Sequence, residues 1–192
     1  MKALPEDLAT KLLEAEERLP QGHGFRASIE EFAKLSGIPR ATLYYYFSGR
    51  EDVVQFFVND KLERTAQAGE RALATEGSVV ERLEAVLVGI LRAFASYPRM
   101  CVELPGVVAE LGSVGSVTEN VRRAVVGPLR ALLEEGRASG ELMVEDADMA
   151  AVAFTGALNM AATSQIVTTG GVDADATAKA LVPQLIRGVL PR

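Results

Sequence analysis

One short signal, a serine followed three residues later by a glutamate, recurs four times, each time directly before a stretch whose apolar residues have helical spacing. A serine hydroxyl at a helix start accepts a bond from the backbone N–H three residues on, and the glutamate bonds back to the serine N–H. The signal therefore predicts that helices start at Ser28, Ser48, Ser78 and Ser116. No segment shows the sustained alternation, bounded by hairpin turns, that is typical of paired strands.

The other helix boundaries follow from apolar spacing and from aspartate, glycine and proline residues. Asp146 and Asp173 are good caps for two final helices. Proline inside a helix removes a backbone bond, so Gly127–Pro128 should kink the seventh helix and Pro183 casts doubt on an unbroken ninth. The sequence predicts an all-α fold of about nine helices. They lie near 4–19, 28–35, 39–47, 48–74, 78–96, 99–112, 116–140, 146–168 and 173–190.

Composition excludes several classes of protein. The net charge of −6 argues against a protein that coats nucleic acid indiscriminately, yet residues 34–50 contain Lys34, Arg40 and Arg50 and no acid. The single cysteine, Cys101, permits no internal disulfide and fits a reducing compartment. The only histidine, His23, lies far from it in the sequence, so we expect no metal site and no catalytic residue.

The apolar residues recur in interrupted groups rather than in one run long enough to span a bilayer. The first residues become acidic by Glu6 and Asp7, and they lack the basic stretch followed by an apolar stretch that marks a secretory signal. We therefore expect a cytoplasmic protein that has no transmembrane segment, contacts no membrane and needs no cofactor.

Two short helices joined by a turn containing Gly37 match the pattern of a helix-turn-helix. The pattern alone is weak, because many helical domains contain such a turn. If Leu43 and Phe47 of the third helix face the core, three consecutive tyrosines cannot all be buried. Exposed hydroxyls can bind phosphates, aromatic rings can contact sugars or thymine methyl groups, and a guanidinium can bind guanine, so this surface suits DNA. The residues expected to face outward or lie on the flanks are Ala41, Thr42, Tyr44, Tyr45 and Tyr46.

The stretch from Ser28 to Glu51 strongly resembles the DNA-binding segment of the tetracycline repressor family. The shared features are an alanine in the second helix, the glycine turn, Thr-Leu-Tyr, an aromatic pair, and a basic residue before glutamate. The resemblance implies phosphate contacts from Ser28, Thr42, Tyr44, Tyr46 and Arg50, and base contacts from Arg40 and Tyr45. One departure is that Glu30 and Glu31 stand where many members are less acidic, which would weaken nonspecific attraction to DNA.

The resemblance also implies two domains, a helix-turn-helix DNA-binding domain at 1–50 and a ligand-binding and dimerisation domain at 51–192, with the fourth helix shared. It assigns dimerisation to the last two helices. Small and polar residues inside the eighth helix leave a dimer interface and a ligand cavity both open. The implied effector pocket favours a hydrophobic or amphipathic molecule and contains Phe94, Tyr97, Met100, Cys101, Leu104, Leu129, Leu132 and Phe154.

The leading hypothesis is a homodimeric repressor that binds a palindromic operator on double-stranded DNA and leaves it when an unidentified small molecule binds. The alternative is a helical ligand-binding protein, a helical enzyme or an adaptor, in which the helix-turn-helix is only structural. Against an enzyme stands the lack of a nucleophile, base and orienting group in a recognisable spacing.

Overall fold

The computed structural model describes residues 4–19, 26–98, 101–102, 106 and 119–190. These residues form helices and connecting turns, with no strand among them, which confirms the all-α prediction. The predicted sixth helix, at 99–112, and the predicted start at Ser116 lie almost wholly outside the described residues. The helices are α1 (Glu6–Glu17), α2 (Ile29–Ser36), α3 (Arg40–Tyr46), α4 (Arg50–Leu73), α5 (Val79–Ser96), α6 (Gly127–Ser139), α7 (Ala147–Thr169) and α8 (Ala174–Arg187), with a π-helical turn at Arg122–Val126 before α6.

The predicted capping boxes form at two of these helices. At α2 the Ser28 N–H donates to Glu31 Oε2 at 2.8 Å, and the Glu31 N–H donates to Ser28 Oγ at 3.2 Å. The same pair of bonds begins α5 at Ser78. The predicted aspartate caps of α7 and α8 also form. Sequence patterns confined to a few residues thus set most helix starts.

The start of α4 differs from the prediction. The Ser48 N–H donates to Asp52 Oδ2 at 2.7 Å, so the return bond ends on Asp52 and not on Glu51. Because α4 begins at Arg50, Asp52 occupies the third helical position, from which a carboxylate reaches back to the chain before the helix.

The two predicted proline irregularities have different outcomes. Ahead of Pro128 the Gly127 N–H donates to the Arg122 carbonyl, five residues back, and the helix continues as α6. The irregularity is therefore a wide turn just before the Gly127–Pro128 pair. The doubt that Pro183 raised about an unbroken last helix is not borne out, because α8 runs through it. Val182 and Ile186, both buried, hold the helix against the core on either side of Pro183.

Helix α4 links the N-terminal helices to the rest of the core. Its Phe57 packs on Phe32 of α2 with ring centroids 5.2 Å apart. Further along, a Cβ atom at Gly69 would lie 3.2 Å from Pro128 Cγ, so the glycine permits α4 and α6 to approach closely. The predicted division at residue 50 stays a prediction.

A buried ion pair joins α1 to α4. Lys61 Nζ lies 2.6 Å from Glu16 Oε2, and each side chain is only 7% exposed. The same ammonium lies 5.3 Å from the centroid of the Tyr97 ring, just after α5. Three separate segments therefore meet at one buried positive charge.

Helix α7 is long and apolar enough to cross a membrane by length and composition alone, although no transmembrane segment was expected. One such helix is weak support for a membrane protein. Only 22% of its most apolar window is buried. Exposed apolar side chains grouped on one helix of a folded protein are typical of an interaction surface. Its exposed apolar side chains are Met149, Val152, Met160 and Val167.

Candidate nucleic-acid interface

The turn between α2 and α3 depends on Gly37, which ends α2 in the left-handed conformation with a φ of 69°. Glycine adopts this conformation without the steric strain that a Cβ would add. Ile38 then enters the core, and α3 begins one residue after Pro39. The turn therefore sets α3 across α2 as the second helix of a helix-turn-helix.

The faces of α3 agree with the prediction from the sequence. Leu43 and Phe47 are 0% and 1% exposed and anchor the helix in the core. Tyr45 is 61% exposed and Tyr44 is 45% exposed. Thr42 and Tyr46 are half-buried, as expected for residues at the edge of the face. The outward surface of α3 is therefore aromatic and rich in hydroxyl groups, and Arg40 lies at its N-terminal end.

An unexpected acidic contact lies on this surface. A nitrogen of the Arg40 guanidinium lies 2.6 Å from Glu30 Oε1, and the Tyr44 hydroxyl donates to the same oxygen at 3.2 Å. The Arg40 guanidinium also lies 5.3 Å from the centroid of the Tyr44 ring. We name Glu30, Arg40 and Tyr44 the reading triad. The arginine predicted to read bases is thus already paired in the protein without DNA.

The charges of Glu30 and Arg40 stabilise each other. A hydrogen bond with its own backbone lowers the pKa of Glu30, and the Tyr44 hydroxyl and the charge of Arg40 lower it further. The hydrogen bond with Tyr44 and the charge of Glu30 raise the pKa of Arg40. Both groups are therefore charged at neutral pH, and the pair presents little net charge to DNA.

The remaining predicted DNA contacts lie at the starts of α2 and α4. The Ser28 hydroxyl donates to Glu31 Oε2 at 2.9 Å as part of its cap, so a phosphate would compete for that proton. Arg50 is the first residue of α4, its side chain is 32% exposed, and its Nε lies 4.0 Å from Glu51 Oε1. Nothing in the structure tests the DNA contacts assigned to these side chains, and they stay predictions.

The predicted effector residues that the structure describes lie mainly in the core. Cys101 is 4% exposed, and burial raises the pKa of its thiol to about 11. Tyr97 is half-buried, whereas Met100 and Leu104 lie outside the described residues. The effector pocket also stays a prediction. The other buried members are Phe94, Leu129, Leu132 and Phe154.

An open groove of about 770 Å³ lies elsewhere, between α7 and α8, and contains none of the predicted effector residues. Gln165 connects its two walls by accepting from the Asp173 N–H at 3.0 Å and donating to the Thr177 hydroxyl. Within the described part of the chain, no three His, Cys, Asp or Glu side chains converge to hold a metal ion.

Glu30 was expected only to weaken nonspecific attraction to DNA, as a departure from the family pattern, and no contact was predicted for it. The available signal was its position in the first turn of α2, at the edge of a cationic window. The pair of Glu16 and Lys61 gave no local signal, since its members are far apart in the chain and belong to helices with many charges.

Comparisons with known proteins agree with this architecture. The family model of bacterial regulatory proteins of the tetR family matches residues 12–55. The model of the tetracyclin repressor-like C-terminal domain matches residues 76–189, more than half of the chain. No curated protein sequence matches the chain.

Several solved structures have the same fold. The fatty acid degradation regulator FadR from Bacillus halodurans has a TM-score of 0.82 at 22% identity, over 97% of each chain. FadR from Bacillus subtilis in complex with stearoyl-CoA has a TM-score of 0.79 at 17% identity, over 93% of this chain and 98% of that one. A TetR/AcrR family regulator from Thermobifida fusca has a TM-score of 0.73 at 24% identity, over 95% and 98%.

Proposed function

Because this chain belongs to the tetracycline repressor family of bacterial regulatory proteins, we propose that it is a homodimeric repressor of a palindromic operator, released by a hydrophobic or amphipathic effector. The observation that carries the proposal is the face of α3, where Leu43 and Phe47 fix the helix and Arg40, Tyr44 and Tyr45 point outward. The proposal places the protein in the cytoplasm and includes no cofactor and no catalytic step.

The side chains of this face divide into two roles. Arg40 lies at the N-terminal end of α3, the part of a recognition helix that reaches base edges, and its fork suits guanine. We assign Arg50 to phosphates, which fix the register without reading sequence, whereas the Tyr44 hydroxyl would reach a phosphate only by giving up its bond to Glu30. Selective binding needs two such helices, since one buries too little surface.

A second copy of the chain is the partner that we propose for α7 and α8. Val167 and Met160 of α7 are 73% and 67% exposed, which is unfavourable unless another apolar surface covers them. Two-fold symmetry would place the same helices of both copies face to face, and it would set the spacing of the two α3 helices on DNA.

The dimer is tested with Val167→Glu, which places a charge on the proposed interface. Light scattering should show a dimer for the unaltered protein and a monomer for Val167→Glu. Met143→Glu is the matched control, because Met143 is 65% exposed but lies outside α7 and α8. A dimer that survives Val167→Glu, or is lost in Met143→Glu, would contradict this assignment.

The proposed effector class rests on the apolar side chains predicted for the pocket and on one protein of similar structure. The Bacillus subtilis regulator that shares the fold was solved with stearoyl-CoA, an amphipathic thioester. An effector acts only through its different affinity for the DNA-bound and released conformations. Stearoyl-CoA should therefore reduce binding to selected DNA, while free coenzyme A, which lacks the acyl chain, should not.

The central test is DNA selection followed by affinity measurement. The protein should enrich palindromic sequences from a pool of random duplexes, and its affinity for unselected duplex should fall steeply with added salt. Arg40→Ala should remove the preference for one base per half-site. If the protein showed no salt-dependent binding to duplex DNA, the proposed function would be contradicted, and a helical ligand-binding protein or an adaptor would be favoured instead.

A further inference from the structure

Glu30 places a negative charge where the DNA backbone is proposed to pass. Its side chain is 46% exposed, on the same surface as the 63% exposed side chain of Arg40. Arg40 begins α3, and Glu30 lies in the first turn of α2, so the contact spans the helix-turn-helix from one helix start to the other. The pair therefore belongs to the reading surface itself.

In water, an exposed ion pair of this kind has little effect on stability. Near DNA its effect on selectivity is larger, because phosphates repel the carboxylate. If Arg40 turned toward a phosphate, it would leave Glu30 unpaired in a strongly negative potential. A guanine presents two acceptors in a plane, which the outer edge of the guanidinium can meet while Glu30 keeps its contact.

Tyr44 restricts the pair further. Its hydroxyl donates to the same Glu30 oxygen that meets Arg40, and its ring lies beside the guanidinium. Rotation of Arg40 away from Glu30 would break the ion pair and lose the contact with this ring. The arginine is therefore held in one of the many orientations that a long side chain can adopt.

We propose that Glu30 is a selectivity determinant, which positions Arg40 for guanine and holds it back from phosphates, so that binding to non-operator DNA is suppressed more than binding to the operator. The inference rests on the proposed function, since it takes the α3 face as the DNA-reading surface. Discrimination here comes from a penalty on wrong partners as well as from contacts with the right one.

The experiment measures the affinities of Glu30→Gln for an unselected random duplex pool and for the sequence that the unaltered protein enriches. Glu30→Gln should raise affinity for the random pool more than for the enriched sequence. The ratio of the two affinities should fall roughly tenfold, in the lower part of the range that one paired base contact supplies. The salt slope for the random pool should steepen by about one unit, because Arg40 becomes free to meet a phosphate.

Two further variants separate this role from a general charge effect. Glu31→Gln removes one negative charge from the same helical turn, where the carboxylate caps Ser28, and a glutamine oxygen still accepts that bond. It should raise both affinities alike. In an Arg40→Ala background, Glu30→Gln should no longer change the ratio, because the residue through which it acts is gone.

An unchanged ratio in Glu30→Gln, the same change in Glu31→Gln, or an effect that persists without Arg40 would each overturn the role of Glu30. In all three cases the proposed function would stand, because the unaltered protein would still select DNA. If the unaltered protein bound no duplex selectively, the proposed function would fail, and the role of Glu30 would fail with it. Circular dichroism checks that each variant keeps its helices.

Discussion

The loss of one partner of the buried ion pair between Lys61 and Glu16 should strongly lower the stability of the fold. Lys61→Met keeps an unbranched side chain of similar length but removes the ammonium group. The Glu16 carboxylate then stays in the core, where its side chain is 7% exposed, without the positive charge now 2.6 Å away. The substitution also removes the charge beside the Tyr97 ring, although a methionine sulfur still packs favourably on that ring.

The expected cost is large on the scale of protein stability. Removing one partner of a buried ion pair destabilises a protein by about 3–5 kcal/mol, against a typical total of about 5–15 kcal/mol. For a chain of this length, each kcal/mol lowers the melting temperature by about 2–4 °C. Lys61→Met should therefore melt about 6–20 °C below the unaltered protein.

The assay is thermal unfolding by circular dichroism at one fixed protein concentration, because the stability of a dimer depends on concentration. Lys11→Met is the matched control, an exposed lysine on α1 whose loss should change the free energy of unfolding by no more than about 0.5 kcal/mol. The double variant Glu16→Leu, Lys61→Met should recover most of the stability, because no charge is left buried. The reasoning is refuted if Lys61→Met and Lys11→Met have the same melting temperature, or if the double variant melts no higher than Lys61→Met.

Two other predictions concern the DNA-binding face and the buried Cys101. Arg40→Ala should flatten the preference for one base per half-site, whereas Arg50→Ala should weaken binding to all sequences alike and reduce the salt slope by about one unit. Affinities for single-base operator variants at several salt concentrations check this. A changed order of preferred sequences in Arg50→Ala would contradict it. Burial raises the pKa of Cys101 from 9.0 to about 11, so its neutral thiol stabilises the fold fully below pH 9, and this contribution is lost as the pH rises to 11. Urea unfolding across this pH range should show a larger loss than in Cys101→Ala, where only the tyrosines and lysines titrate, and an equal loss in both would contradict it.

The sequence predicted the features that depend on near neighbours. The cap at Ser28 needs only Glu31, and the spacing of Leu43 and Phe47 was enough to assign the inner face of α3. The prediction for the start of α4 was less accurate. Both Glu51 and Asp52 follow Ser48, and the exact first residue of the helix decides which of them accepts the bond from the Ser48 N–H.

Other features depend on how the helices pack, which local patterns do not encode. Whether Glu30 meets Arg40 is decided by the angle between α2 and α3, not by their separation along the chain. A proline rule cast doubt on an unbroken helix at Pro183, but packing of the neighbouring residues outweighs one lost backbone bond.

The wide turn before α6 has a consequence for how relatives of this chain can vary in length. A π-helical turn holds one residue more than the α-helical turn that it replaces. A chain with one residue fewer between Arg122 and Val126 would close an ordinary α-helix and still present Leu129 and Leu132 to the core. Deletion of a single residue in this segment should therefore leave the buried face of α6 in place.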